Sequence, residues 1–131
     1  MNSEKIDSNV LASRNGKAIE EYVRRLLPDI IFLNGQFDAV YHGVPLEIKS
    51  CQATVTDHSH QNSLRSGRFV FAAEQHEALL KSGGEYLFIV HMEADPLLSF
   101  REVAEDIGLP EFSGVKSVAW RSVARSFVEG F

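Results

Sequence analysis

At 131 residues, with 44% hydrophobic and 24% charged side chains, the chain has the size and make-up of one globular domain spanning residues 1–131, which excludes disorder, coiled coil and collagen-like repeats. The single cysteine, Cys51, excludes an intrachain disulfide and any multi-cysteine zinc motif; it reads as a half-buried strand residue. A net charge of −5 argues against non-specific coating of nucleic acid, yet leaves room for a local basic set among Arg14, Lys17, Arg24, Arg25, Arg65 and Arg68.

The polar start, Met1 to Lys5, leads into no signal-like or membrane-spanning run, so a cytoplasmic protein with no membrane partner is expected. From Val10 to Leu27 the apolar stripe Ile19, Tyr22, Val23, Leu26 and Leu27 predicts a helix that Pro28 ends. Ile30 to Leu33 suits a buried strand, and Asn34-Gly35 a turn. Gln36 to Tyr41 and Val44 to Cys51 flank His42-Gly43 as two strands joined by a two-residue turn. Ala53 to Gly67, rich in Ser, His, Asn and Asp, reads as a mobile loop. Arg68 to Phe71 suggests a short strand, Ala73 to Lys81 a helix closed by a left-handed cap at Gly83-Gly84, and Tyr86 to His91 a buried strand. The tail predicts a helix from Phe100 to Ile107, a break at Gly108-Leu109-Pro110, and a last helix from Val115 to Phe127.

The hairpin carries the chemistry. Side chains alternate along a strand, so Glu47 and Lys49 share one face while Leu46, Ile48 and Ser50 take the other. A two-residue turn between Tyr41 and Val44 matches Val40 with Pro45, Ala39 with Leu46 and Asp38 with Glu47. Like charges placed opposite one another destabilise the pair unless something compensates. A divalent cation does so, and hard carboxylate oxygens suit Mg²⁺, with Mn²⁺ expected to substitute. Lys49 then lies close enough to stabilise charge on a phosphate or orient an attacking water. On the first helix Glu20 sits at the border of the apolar stripe, whereas Glu21 points away, and Gly16 on the same flank leaves space for a ligand or the sheet.

In these pieces the sequence resembles the PD-(D/E)XK nuclease superfamily, which includes many restriction endonucleases and the archaeal Holliday junction resolvases. They are Gly16-Lys17-Ala18-Ile19-Glu20, Phe37-Asp38-Ala39 and Leu46-Glu47-Ile48-Lys49-Ser50, with Phe37 standing where the family name has proline. The resemblance implies that Asp38 and Glu47 are metal ligands, Lys49 the catalytic lysine and Glu20 an assisting helix carboxylate. It also places Gln75 where many members carry a polar residue.

The expected fold is α/β, a restriction-endonuclease-like core with a central mixed sheet of four or five strands flanked by helices. The expected activity is Mg²⁺-dependent hydrolysis of DNA phosphodiester bonds, with Arg14, Lys17, Arg65 and Arg68 on phosphates. One active site cuts one strand, so a homodimer is expected, its contact drawn from the last helix around Trp120 and Phe127. A near-minimal core favours a structure-selective, Holliday junction resolvase-like enzyme over a restriction endonuclease that reads bases with the loop at 53–67. A Glu-x-Lys on a solvated strand explains Lys49 but not the opposed acids. Asp57-His58-Ser59-His60 has no distant residue to complete a metal set. The rival reading is a non-catalytic DNA-binding module in which the two tail helices act as a helix-turn-helix.

Overall fold

A computed structural model describes the backbone of residues 10–129 and the side chains of residues 16–128. Helix α1 (Val10–Leu26) closes with Leu27 N donating to Val23 O at 2.8 Å, just before Pro28. Strands β1 (Ile31–Phe32), β2 (Ala39–Tyr41) and β3 (Val44–Gln52) follow as an antiparallel meander. The β2–β3 turn places both His42 and Gly43 at positive φ, 50° and 81°, so the strands join without splaying. His42 tolerates this conformation because its ring stacks on Tyr41 at 4.1 Å and bonds Asp29 at 3.1 Å.

After β3 come β4 (Thr54–Asp57), a 3₁₀ turn (His58–His60), β5 (Ser63–Ser66), β6 (Arg68–Ala72) and helix α2 (Ala73–Ser82). Gly83, at φ 68°, ends α2 as the glycine pair predicts. Strands β7 (Glu85–Met92) and β8 (Asp95–Val103), a 3₁₀ turn (Ala104–Ile107), β9 (Val115–Ala119) and helix α3 (Trp120–Glu129) complete the chain. The central sheet has five strands in the order β1-β2-β3-β7-β8, with β3 and β7 parallel and the other pairs antiparallel. This is the mixed α/β restriction-endonuclease-like sheet that the sequence predicts.

Strand alternation sorts the core into two layers. Leu46, Leu87 and Ile89 face α1, where Val23 is fully buried among Ile19, Tyr22 and Leu27. Tyr86, Phe88 and Val90 face the other way, against Phe69 and Phe71 of β6, Leu79 of α2 and Val123 of α3. Glu47 and Lys49, in register with Tyr86 and Phe88, belong to this second face.

Three readings of the sequence are corrected. Residues 53–67 are not a loop: the β-branched run Thr54-Val55-Thr56 pairs antiparallel with Leu64, Arg65 and Ser66, and Gln61 and Asn62 turn the chain at φ 56° and 59°. Phe100 to Ile107 is not an α-helix: Phe100 to Val103 ends strand β8, and only Ala104 to Ile107 turns as a short 3₁₀ helix. Strand β7 is buried along nearly its whole length, so the backbone groups on its outer side need a partner, and β8 supplies it. Val115 to Ala119 likewise pairs with β6 before α3 begins, because β6 buries Phe69 and Phe71. With one α-helix in the described tail, the helix-turn-helix behind the non-catalytic DNA-binding alternative does not form.

Trp120 and Phe127 turn inward rather than offering a dimer face: Trp120 Nε1 donates to Ala53 O at 2.8 Å and Phe127 stacks on Phe100 at 4.9 Å. Among the described residues no helix is long and apolar enough to cross a membrane.

Candidate active site

The turn at His42-Gly43 sets the register, Ala39 opposite Leu46, and so aims the residues just beyond Ala39 at Glu47. The backbone ladder stops at Ala39, and side chains take over from it. Asp38 N donates to Glu47 Oε1 at 3.1 Å, and Ile48 N donates to Asp38 Oδ2 at 2.9 Å. Asp38 and Glu47 are thus brought together on one face, as the sequence predicts, although by side-chain bonds rather than as a laddered pair.

Glu47 is only 5% exposed. Burial, then the charge of Asp38, pushes its carboxyl up to about 7 from an ordinary 4.5, with Lys49 pulling in the opposite direction. At neutral pH Glu47 is therefore protonated in about half of the molecules.

Helix α2 ties the pair to Lys49. Gln75, in its first turn, donates from Nε2 to Glu47 Oε2 at 2.7 Å and accepts at Oε1 from Lys49 Nζ at 3.2 Å. One amide thereby fixes the spacing between carboxylate and ammonium. The sequence marks Gln75 only as a polar residue on the following helix; its bridging role depends on how α2 packs, which no local pattern encodes. Beneath Glu47, Tyr86 bonds His76 Nδ1 at 2.8 Å in a fully buried contact, and burial and the charge of Glu47 raise the Tyr86 phenol above its usual range. This aromatic floor keeps the acids from relaxing into the sheet.

The other candidates fall elsewhere. Glu20 is exposed and pairs with Arg24 at 3.1 Å, on the helix that covers the opposite face of the sheet. Among the described residues no set of three His, Cys, Asp or Glu side chains is placed to hold a metal, so neither Glu20 nor the Asp57-His58-His60 tip completes such a group. A Cβ at Gly16 would meet nothing within 4 Å, so that glycine does not mark a close approach to the sheet. Lys17 is exposed on α1, and the Arg14 side chain lies outside the described residues. Arg65 lies 3.6 Å from Asp57 on the β4–β5 ribbon, and Arg68 bonds Ser117 Oγ at 2.9 Å. Cys51 is inert, its thiol pushed up to about 12 by burial.

A cavity of about 450 Å³ between α2 and residues 109–112 contains none of Asp38, Glu47 or Lys49.

Two carboxylates fit a divalent ion. Mg²⁺ is commonly bound through one or two carboxylates and keeps water in its remaining positions, and such an ion would offset both the burial and the neighbouring Asp38 charge that raise Glu47. No curated protein matches the chain. The PD-(D/E)XK nuclease superfamily domain, whose members are typically metal-dependent nucleases, matches residues 7–125. With acid, acid and lysine gathered at one hairpin, and that match spanning nearly the whole sequence, the chain belongs to the PD-(D/E)XK nuclease superfamily.

Proposed function

We propose that the protein is a Mg²⁺-dependent endonuclease that hydrolyses DNA phosphodiester bonds, with Asp38, Glu47 and Lys49 as its catalytic set. The observation that supports it best is the bonded chain Asp38–Glu47–Gln75–Lys49, which sets two carboxylates and an ammonium around one point on a face of the sheet. Asp38 and Glu47 would hold the ion, which when bound polarises a phosphoryl oxygen and makes water a better nucleophile. Lys49, positioned by Gln75, presents its charge to the scissile phosphate. Glu47 must lose its proton to act as a ligand, so activity rises with pH, with a midpoint that falls below about 7 as Mg²⁺ concentration increases.

Exposed Lys17, Arg65 and Arg68, with Arg14, meet flanking phosphates, while Glu20, paired with Arg24 on the helix over the opposite face, takes no part in the cluster. Cutting both strands of a duplex calls for a homodimer. The small domain favours structure-selective, Holliday junction resolvase-like cleavage.

The test is cleavage of four-way junction, flap, single-stranded and linear duplex DNA with Mg²⁺ or Mn²⁺, by the wild type beside Glu47→Ala and Lys49→Ala. The reading predicts metal-dependent cutting, lost in both variants and fastest on the junction or flap. No cutting of any substrate by the wild type would overturn it.

A further inference from the structure

The β4–β5 ribbon has no role in the catalytic cluster, yet it leaves the fold directly from the catalytic strand. Glu47 and Lys49 lie on β3, which runs on to Gln52 and through Ala53 into Thr54. The ribbon pairs only with itself, as a two-stranded sheet apart from the central one.

Its base is firmly held. Ala53 N bonds His91 O at 2.8 Å, while Ala53 O accepts from both Gly67 N at 3.3 Å and Trp120 Nε1 at 2.8 Å. Gly67 packs so closely on Gln52 that a Cβ there would collide with the Gln52 carbonyl. Arg121 bonds Ser66 Oγ at 3.1 Å and lies 4.8 Å from the Trp120 ring. The projecting part is less covered: Leu64 is 70% exposed, and the Arg65 side chain 48%.

Charge identifies the occupant. Residues 52–72 and 113–129 carry Arg65, Arg68, Lys116, Arg121 and Arg125 against two acids, Asp57 and Glu129, in a chain whose net charge is −5. Basic side chains are therefore concentrated where the ribbon meets β9 and α3, and most of the acids lie elsewhere. A shallow depression of about 420 Å³ on α3 includes both Arg121 and Arg125.

Resting on the nuclease reading for its substrate, we propose that the β4–β5 ribbon enters the major groove of B-form DNA while the basic side of α3 bears on the flanking phosphates. A two-stranded ribbon fits a groove roughly 12 Å wide and 8.5 Å deep. Four paired residues reach about 13 Å at ~3.3 Å each, with Leu64 at the third pair from the base and Arg65 at the second, facing opposite sides of the ribbon. Leu64 supplies the apolar surface that meets thymine methyl groups, and Arg65, on the other face, meets a phosphate of the groove wall. From Glu47 to Thr54 the chain spans about 23 Å, within one ~34 Å turn of duplex, so one DNA segment can occupy both the groove contact and the catalytic site.

The experiment is fluorescence anisotropy with a labelled short DNA duplex in EDTA, at several salt concentrations. The proteins are the wild type, the double variant Arg65→Ala/Arg125→Ala, its conservative counterpart Arg65→Lys/Arg125→Lys, and Lys81→Ala as a basic residue off the surface. The double alanine variant should raise Kd about ten-fold and reduce the slope of log Kd against log salt by about 2, since each lost phosphate contact removes about 0.9. The lysine pair should restore the slope, which shows that the alanine loss is charge and not unfolding, and Lys81→Ala should change neither quantity. Duplex RNA of the same sequence should bind at least about ten-fold more weakly, because its major groove is too narrow for a ribbon. Wild-type affinity and slope in the double alanine variant, or RNA bound as tightly as DNA, would overturn the proposal. Because binding is read in EDTA, failure to cut under Mg²⁺ would count against the nuclease reading alone.

Discussion

Replacing Glu47 with glutamine removes one carboxyl while keeping its shape, and its effect on stability follows from the site's electrostatics. In the metal-free protein Glu47 titrates at about 7 in the folded state against 4.5 in an open chain, through burial first and Asp38 second. The folded state thus binds this proton more tightly than the unfolded state does. The resulting stabilisation is complete below about pH 4.5 and is lost as pH rises through 7. At 1.36 kcal/mol per pKa unit, the loss is about 3 kcal/mol. Glu47→Gln carries no such proton, so its stability relative to wild type should improve by about 3 kcal/mol between pH 4.5 and about pH 8.5, or roughly 10 °C in Tm. Urea and thermal melts of both proteins in EDTA across that range make the measurement. His76, which burial holds below its usual value, and Glu102, which burial and Asp106 hold above it, titrate in both proteins and cancel. Added Mg²⁺ should then raise the wild-type midpoint at high pH in proportion to log concentration and leave the variant nearly unmoved. A wild-type-to-variant difference that stays constant across the pH range would refute the reasoning, because it would mean the carboxyl does not titrate near neutrality.

Lys49→Ala should lower single-turnover cleavage by about 10² to 10³, the scale for removing one charge-stabilising donor, with Tm shifted little; stopped time courses and a thermal melt check both. Gln75→Ala breaks both bonds of the bridge, so cleavage should fall by roughly ten-fold and the pH midpoint of activity should move, whereas a purely structural role for the amide would leave that midpoint in place. Gly67→Ala forces backbone apart from Gln52 and should cost at least about 2 kcal/mol, read as a lower urea midpoint with unchanged slope.

The hairpin was legible because its signals are local. A glycine after His42 fixes the turn, the turn fixes the register, and period-two alternation then sorts Glu47 and Lys49 from Leu46 and Ile48. Strand β7 and the cap at Gly83 were legible for the same reason. The tail was not, because Phe100 to Val103 is short and mixed, and what makes it strand is the need of buried β7 for a partner. The ribbon was hidden by polar residues that suit a loop as well as an exposed hairpin, and its pairing lies between Thr54-Val55-Thr56 and residues about ten positions away. Glu20 shows the limit of a helical wheel: the wheel gives the edge of the buried stripe, but not which side of the sheet the helix covers.

The catalytic site and the core beneath it depend on each other. Two acids bonded at close range disfavour the folded state at neutral pH, and a loosely packed hairpin would let them separate into solvent. Here Glu47 stands over Tyr86, which stacks on Phe88 at 5.4 Å, meets Phe71 edge-on at 5.3 Å and bonds His76, all of them fully or nearly fully buried. Each such aromatic contact contributes about 0.5 to 1.5 kcal/mol beyond its burial, so a few together offset a cost of about 3 kcal/mol. Burial over the aromatic layer and the charge of Asp38 together raise the cost of ionising Glu47, and a divalent ion held by the two carboxylates would offset that cost.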